Sequence, residues 1–201
     1  MKHNTWIAVV MGLLVAGMAR ADGIKLGDKA PLADVKLKNV DGKELSIGEV
    51  AGKKGTLVIF SCNSCPFAQA WERRIVELGN TYRQQDVGVV MINANDPADR
   101  PAEEIEEMKK RVEDRRYEFP YVVDATSDVA RAFGATRTPE CYLFDKDGKL
   151  VYHGAVDDDK NGESVSKPWL RTALEAVVAG KEVADKESKA IGCGIKFRPK
   201  P

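Results

Sequence analysis

Thr56-Leu57-Val58-Ile59-Phe60-Ser61-Cys62-Asn63-Ser64-Cys65-Pro66 is the stretch whose reading decides how this chain folds. Its first five residues form an unbroken apolar, β-branched run, the pattern of a strand buried on both faces and therefore of a central parallel strand. Ser61 follows as a candidate N-cap. Ala68, Trp71, Ile75 and Leu78 then recur at helical spacing, which predicts a helix with one buried face. Two cysteines thus stand where a buried strand turns into a helix. A first helical turn has free N–H groups and the positive end of the helix dipole, both of which stabilise a thiolate. On this reading Cys62 is placed to benefit and Cys65 lies one turn in, beneath it.

Further strands and helices alternate on both sides of this unit. Upstream, Asp41-Gly42 separates the short alternating runs 34–37 and 44–47, which predicts an edge hairpin. Downstream, 87–92 is a second buried-strand run. Pro101 opens a charged helix to about Arg116, with i,i+4 pairs Glu106/Lys110 and Glu107/Arg111 on its outer face and Ile105, Met108 and Val112 facing inward. The run 121–123 reads as a strand and 128–133 as a helix stopped by Gly134. Asp147-Gly148 lies between 141–145 and 150–153, a strong hairpin signal. A last helix spans 168–179 and stops at Gly180, and the tail 181–201, without a period, is expected to be loop. The expected class is α/β: a central mixed sheet with helices on both faces and an N-terminal β-hairpin.

The N-terminus is set apart. Lys2, an uncharged stretch of 13 residues from Trp6 to Met18, and Ala19-Arg20-Ala21 read as the three regions of an export signal cleaved after Ala21. A membrane-spanning helix needs about 18 or more apolar residues, so no stable membrane insertion is expected after cleavage. The domain organisation is then a signal at 1–21, one domain over 22–180, and a tail over 181–201. The 31 basic and 31 acidic residues of the whole chain cancel, and loss of Lys2 and Arg20 leaves the mature chain slightly acidic. No electrostatic footprint for nucleic acid follows from such a balance. All four cysteines, Cys62, Cys65, Cys141 and Cys193, remain after cleavage, in a periplasmic or extracellular setting where disulfides persist.

A disulfide across so short a loop is a weak staple. Loop entropy gives about 1.9 kcal/mol for four residues, against about 4 kcal/mol for the roughly 50 between Cys141 and Cys193. Chemistry is the stronger reading. Lowering a thiol from about 8.5 to about 7 raises its thiolate fraction at neutral pH from roughly 3% to roughly 50%, and the thiolate is the nucleophile. Cys62 would attack a partner disulfide and Cys65 resolve the mixed disulfide.

Gly27-Asp28-Lys29-Ala30-Pro31, the strand ending at Phe60, Cys62-Asn63-Ser64-Cys65-Pro66, and Thr138-Pro139-Glu140 followed by Tyr142-Leu143-Phe144-Asp145 together resemble the thioredoxin-like redoxin superfamily. The resemblance spans about residues 25–180. It is most similar to exported thiol–disulfide oxidoreductases of the TlpA and ResA type and to the related alkyl hydroperoxide reductase/thiol-specific antioxidant proteins. It implies a cis Pro139 beside the cysteine pair, leaving the backbone of Thr138 to bind an extended peptide that carries the target cysteine. It implies protein thiols and disulfides as partners, an electron donor in the membrane or periplasm, no organic cofactor, and a leaning towards the reductant role. Glu140 is a candidate for proton transfer, set against a solvent-facing glutamate at a strand start.

Two other functions remain in view. A peroxidase of this superfamily would need Thr three residues before its attacking cysteine, where Ile59 precedes Cys62. A copper module would resemble CxxxC with a distal His, and the spacer here is one residue short. Zinc would need Cys141 and Cys193 to converge on the pair. For Cys141 and Cys193 three readings stand: a structural disulfide tying the tail to the sheet, a second redox pair, or unpaired thiols. Asp157-Asp158-Asp159 is read as solvated surface, and Trp71 as core.

Overall fold

The computed structural model describes residues 23–98 and 100–200, so the expected export signal lies outside the described residues. The run at 56–60 is strand β3 (Gly55–Phe60), buried along its whole length. It pairs in parallel with β4 (Val87–Asn93) and antiparallel with β7 (Glu140–Asp145), so it is central but parallel on one side only. Adding β1 (Leu37–Asn39), β2 (Glu44–Leu45), β5 (Tyr121–Val123) and β8 (Leu150–Gly154) gives a seven-stranded mixed sheet in the order β2-β1-β5-β4-β3-β7-β8. Both expected hairpins are present, with Gly42 and Gly148 at positive φ in their turns. The first is shorter than the alternation suggested. Ser46 and Glu49 form a reciprocal capping box that starts helix α1 (Ile47–Val50), ending the strand at Leu45.

Side-chain alternation along β3 divides the core. Leu57 and Ile59 face one side, where helices α2 (Pro66–Arg83), α3 (Ile105–Arg115) and α5 (Trp169–Val178) supply Trp71, Ile75, Met108, Leu170 and Leu174. Val58 and Phe60 face the other, where α1 and α4 (Asp128–Phe133) supply Ile47, Val129 and Phe133. Gly134, at φ 73°, ends α4 as expected. No helix among the described residues is long and apolar enough to cross a membrane.

Three surface expectations are corrected. The charged helix is split: Pro101–Glu103 is a 3-10 turn and α3 begins only at Ile105. Arg111 does not pair with Glu107. It reaches the buried Glu72 on α2, which also takes Tyr117 Oη at 2.8 Å and Arg115 Nε at 3.2 Å. Asp157 is 4% exposed, accepting from Trp71 Nε1 at 2.6 Å and ion-paired to Arg74 at 2.8 Å, while Asp158 and Asp159 collect backbone N–H groups of the loop that follows. The acidic run is therefore structural, and only its last two members approach solvent.

The tail is irregular yet docked. Ser188 Oγ accepts from Ala155 N at 2.9 Å, and a short strand β9 (Cys193–Gly194) pairs antiparallel with β6 (Arg137–Thr138). Beyond it Ile195 N donates to Thr136 O at 3.0 Å and Lys196 N to Asn95 Oδ1 at 2.8 Å.

Candidate active site

Helix α2 begins later than the local sequence suggested, and this changes which sulfur caps it. The N-cap is Cys65, not Ser61: Cys65 Sγ accepts from Ala68 N at 3.5 Å, and Pro66 takes the first helical position, where its missing N–H costs nothing. Cys62 lies in the loop between β3 and the cap, so the end of the helix dipole points at Cys65. Both cysteines are nearly enclosed, at 4% and 3% exposed, and they border a cavity of about 240 Å³ with Ser64, Asn95, Arg100, Cys193 and Lys196.

Thr138 meets both sulfurs. Cys62 Sγ lies 3.2 Å from Thr138 Oγ1, and Cys65 Sγ lies 3.1 Å from Thr138 O. The Thr138–Pro139 peptide bond is cis, as the resemblance implied. Each thiol shifts the ionisation of the other, in opposite directions. A hydrogen bond from Cys62, together with the Cys193 thiol and the Ala68 N–H, draws Cys65 down to about 4 against the opposing effect of burial. The bond to Cys65, burial and the charge of Glu103 push Cys62 up. The contacts to Thr138 also suit the mirror placement of the charge: its carbonyl needs an S–H from Cys65, and its hydroxyl can donate to a Cys62 thiolate. One proton moving between the sulfurs interconverts the two forms, so ionisation belongs to the pair.

Glu103, missed by the sequence reading, holds the loop between the cysteines. It is 1% exposed and accepts from Asn63 N at 2.9 Å, Ser64 N at 3.0 Å, Asn93 Nδ2 at 2.9 Å and the Ser64 hydroxyl. Burial raises its carboxyl, but these donors outweigh burial and leave it below its ordinary value. Only the 3-10 turn after Pro101 aims it inward, and no local pattern distinguished it from its acidic neighbours. The Asn63 side chain completes the anchorage, donating to Ala102 O at 2.7 Å and accepting from Tyr121 Oη at 3.1 Å.

Glu140 is neither solvent-facing nor aimed at the sulfurs. At 3% exposed it accepts from Thr136 N at 2.8 Å, Arg137 N at 2.9 Å and Tyr142 Oη at 3.1 Å, and contacts His153 Nε2 at 2.7 Å. Burial opposes its charge, but the bonds from His153, Thr136 and Arg137 prevail and hold its carboxyl below the usual range. Its bonds fix the loop that presents Thr138 and Pro139, and none reaches Cys62 or Cys65.

Cys141 and Cys193 are not brought together. Cys141 is wholly buried in the core on β7, opposite Ile59, where burial pushes its thiol far up. Cys193 sits with Cys62, Cys65 and Ala68 in a separate small cluster. All four cysteines are free thiols, so of the three readings for Cys141 and Cys193 the disulfide between them is not formed. Among the described residues no three or more His, Cys, Asp or Glu side chains gather as a metal would require.

The sequence profile of the AhpC/TSA family matches residues 26–153. The chain is similar to the thiol-disulfide oxidoreductase ResA of Halalkalibacterium halodurans, 28% identical over 57% of this chain; it spans 61% of that relative's length. Its structure is similar to that of an uncharacterized conserved protein from Geobacillus kaustophilus, at 39% identity, TM-score 0.82, covering 88% of this chain and 94% of the other. A thioredoxin-like protein in the oxidized form matches at TM-score 0.64 and 22% identity over 79% of this chain and 100% of its own, a likeness of fold that bears out the thioredoxin-like class.

Proposed function

The chain belongs to the AhpC/TSA family, and on that premise we propose that it is an exported thiol–disulfide oxidoreductase acting on cysteines of partner proteins, with the reductant role favoured. The observation that carries this reading is the pair before α2: two enclosed thiols that both touch Thr138, beside the cis Thr138–Pro139 bond. The ResA relatives support the same activity, and Ile59, buried in β3, occupies the position where a peroxidase would need Thr.

In the proposed cycle Cys62 attacks the nearer sulfur of a target disulfide. A Cys62–S–S–target bond forms, the target's own bond breaks, and its second sulfur leaves as thiolate. The proton of Cys62 passes to Cys65 along the bond between them. Cys65 then gives that proton to the departing thiolate and attacks Cys62. A Cys62–Cys65 disulfide forms, the Cys62–target bond breaks, and the target leaves with both sulfurs reduced, one as the thiol that took the proton and the other as thiolate. Glu103 holds the loop of the pair and Glu140 the platform, so both are positioning residues.

The test uses a disulfide-bonded peptide. Cys65→Ser should accumulate a mixed disulfide at Cys62, and Cys62→Ser should lose exchange. Retained exchange in Cys62→Ser would overturn the reading. Mass-resolved redox titration of the mature protein addresses direction, with a value below about −240 mV expected for a reductant and one above about −180 mV contradicting that role. Export predicts a mature N-terminus at Asp22 in the periplasmic fraction of an expressing bacterium. An intact Met1 in the cytosol would refute it.

A further inference from the structure

The tail occupies the place where the resemblance puts a substrate. An extended peptide was expected to pair with the backbone at Thr138, its cysteine facing the active pair. Strand β9 lies there instead, antiparallel to β6, with Cys193 in register with Thr138 and Gly194 with Arg137. Cys193 packs against Cys62, Cys65 and Ala68 and borders the same cavity as the pair.

The approach is built into the sequence of the tail. A Cβ added at Gly192 would stand 2.2 Å from Thr138 O and 2.7 Å from its carbonyl carbon, so only glycine lets this backbone cross the platform. On the far side the strand is pinned by Ile195 N to Thr136 O, by Lys196 N to Asn95 Oδ1, and by Asp96 N to Lys196 O at 2.7 Å. Cys193 therefore arrives at a fixed position. Of the two active thiols, Cys65 is the one whose ionisation responds to Cys193, and Cys193 in turn responds to Cys65.

We propose that residues 191–196 form an internal substrate strand and that Cys193 is a third redox cysteine, exchanging with Cys65. The inference rests on the proposed oxidoreductase reading and extends it. When Cys62 and Cys65 are joined, the Cys193 thiolate attacks Cys65. A Cys65–Cys193 bond forms, the Cys62–Cys65 bond breaks, and Cys62 leaves as a thiolate that takes the proton released by Cys193. No electrons are gained or lost. The disulfide is stored at the tail and the attacking thiol is freed. External targets then compete with the tail for Thr138.

Trypsin separates the participants: Cys62 and Cys65 fall in 55–73, Cys141 in 138–146 and Cys193 in 190–196. The full-length mature protein and its Cys62→Ser variant are oxidised with diamide, which accepts the two electrons and two protons of each new disulfide, then alkylated, digested and weighed. In Cys62→Ser the expected product joins 55–73 to 190–196, in a yield that does not fall on dilution because the reaction is intramolecular. In the unsubstituted protein the same joined pair is expected beside the internal 62–65 disulfide. Gly192→Val, which keeps every cysteine but unseats the strand, should lose the join and speed exchange with an external cysteine peptide. Recovery of 190–196 only as the alkylated peptide, in both the unsubstituted protein and Cys62→Ser, overturns the inference. If the unsubstituted protein still exchanges with the peptide in that case, the oxidoreductase reading survives. An inert protein refutes both.

Discussion

Replacing Glu103 with Gln tests whether one buried carboxylate holds the loop that carries the cysteines. One of its oxygens accepts from Asn63 N and Asn93 Nδ2, the other from Ser64 N and the Ser64 hydroxyl. An amide has the same shape but offers one acceptor and one donor. Asn95 Nδ2 also donates to the second oxygen, at 3.5 Å, so whichever way the amide turns at least two of the five donors face its NH₂ group. An unsatisfied buried donor costs about 1–3 kcal/mol, so with two left facing the amide Glu103→Gln is expected to lose about 2–6 kcal/mol. For a chain of this length that lowers Tm by about 4–24 °C. The natural carboxyl lies below its ordinary 4.5. Its contribution is therefore complete above that ordinary value and disappears as pH falls through the lowered native one. Urea unfolding of both proteins from about pH 7 to about pH 3 should show a gap that narrows on acidification. Cys62 feels the charge of Glu103, so its alkylation should also shift to lower pH in the variant. A stability loss under about 0.5 kcal/mol, or a gap that does not change with pH, would refute the argument.

Arg111→Met leaves Glu72 buried with only Arg115 and Tyr117 as partners. About 3 kcal/mol should be lost, the low end for breaking one side of a buried pair, and a neutral result by urea titration would show that Arg115 takes over. Gly79→Ala in α2 places a Cβ 2.3 Å from the Phe119 ring, so an overpacking cost of about 1–3 kcal/mol is expected; an unchanged midpoint would mean that the ring moves freely. Glu140 is also held below its ordinary value, so Glu140→Gln should lose most stability near neutral pH and converge on the natural protein in acid, as measured by thermal unfolding across pH. A variant equally destabilised at every pH would point to lost shape rather than lost charge.

Elements whose cause is local were legible from the residues alone. Four apolar residues before Ser61, with the β-branched Thr56, read as a buried strand, Gly42 and Gly148 marked the tight turns, and Gly134 ended a helix because it tolerates positive φ. The position of Cys62 and Cys65 between a strand and a helix followed from the same periodicities. So did Trp71 as a core residue, now 1% exposed. Tertiary structure decided the rest, because contacts between distant segments leave no period behind. Glu103 became the anchor of the cysteine loop through bonds across 39 and 40 positions, although nothing marks it among its acidic neighbours. Glu140 turned inward because Thr136, Arg137 and His153 wait there for a charge. The cap passed from Ser61 to Cys65 because Asn63 and Ser64 are held against Glu103, delaying the first helical turn. Cys141 and Cys193 were equal candidates for each other when only their spacing was known. Strand β7 carries Cys141 into the core, while Gly192 allows the tail to lie on Thr138 and takes Cys193 to the active pair.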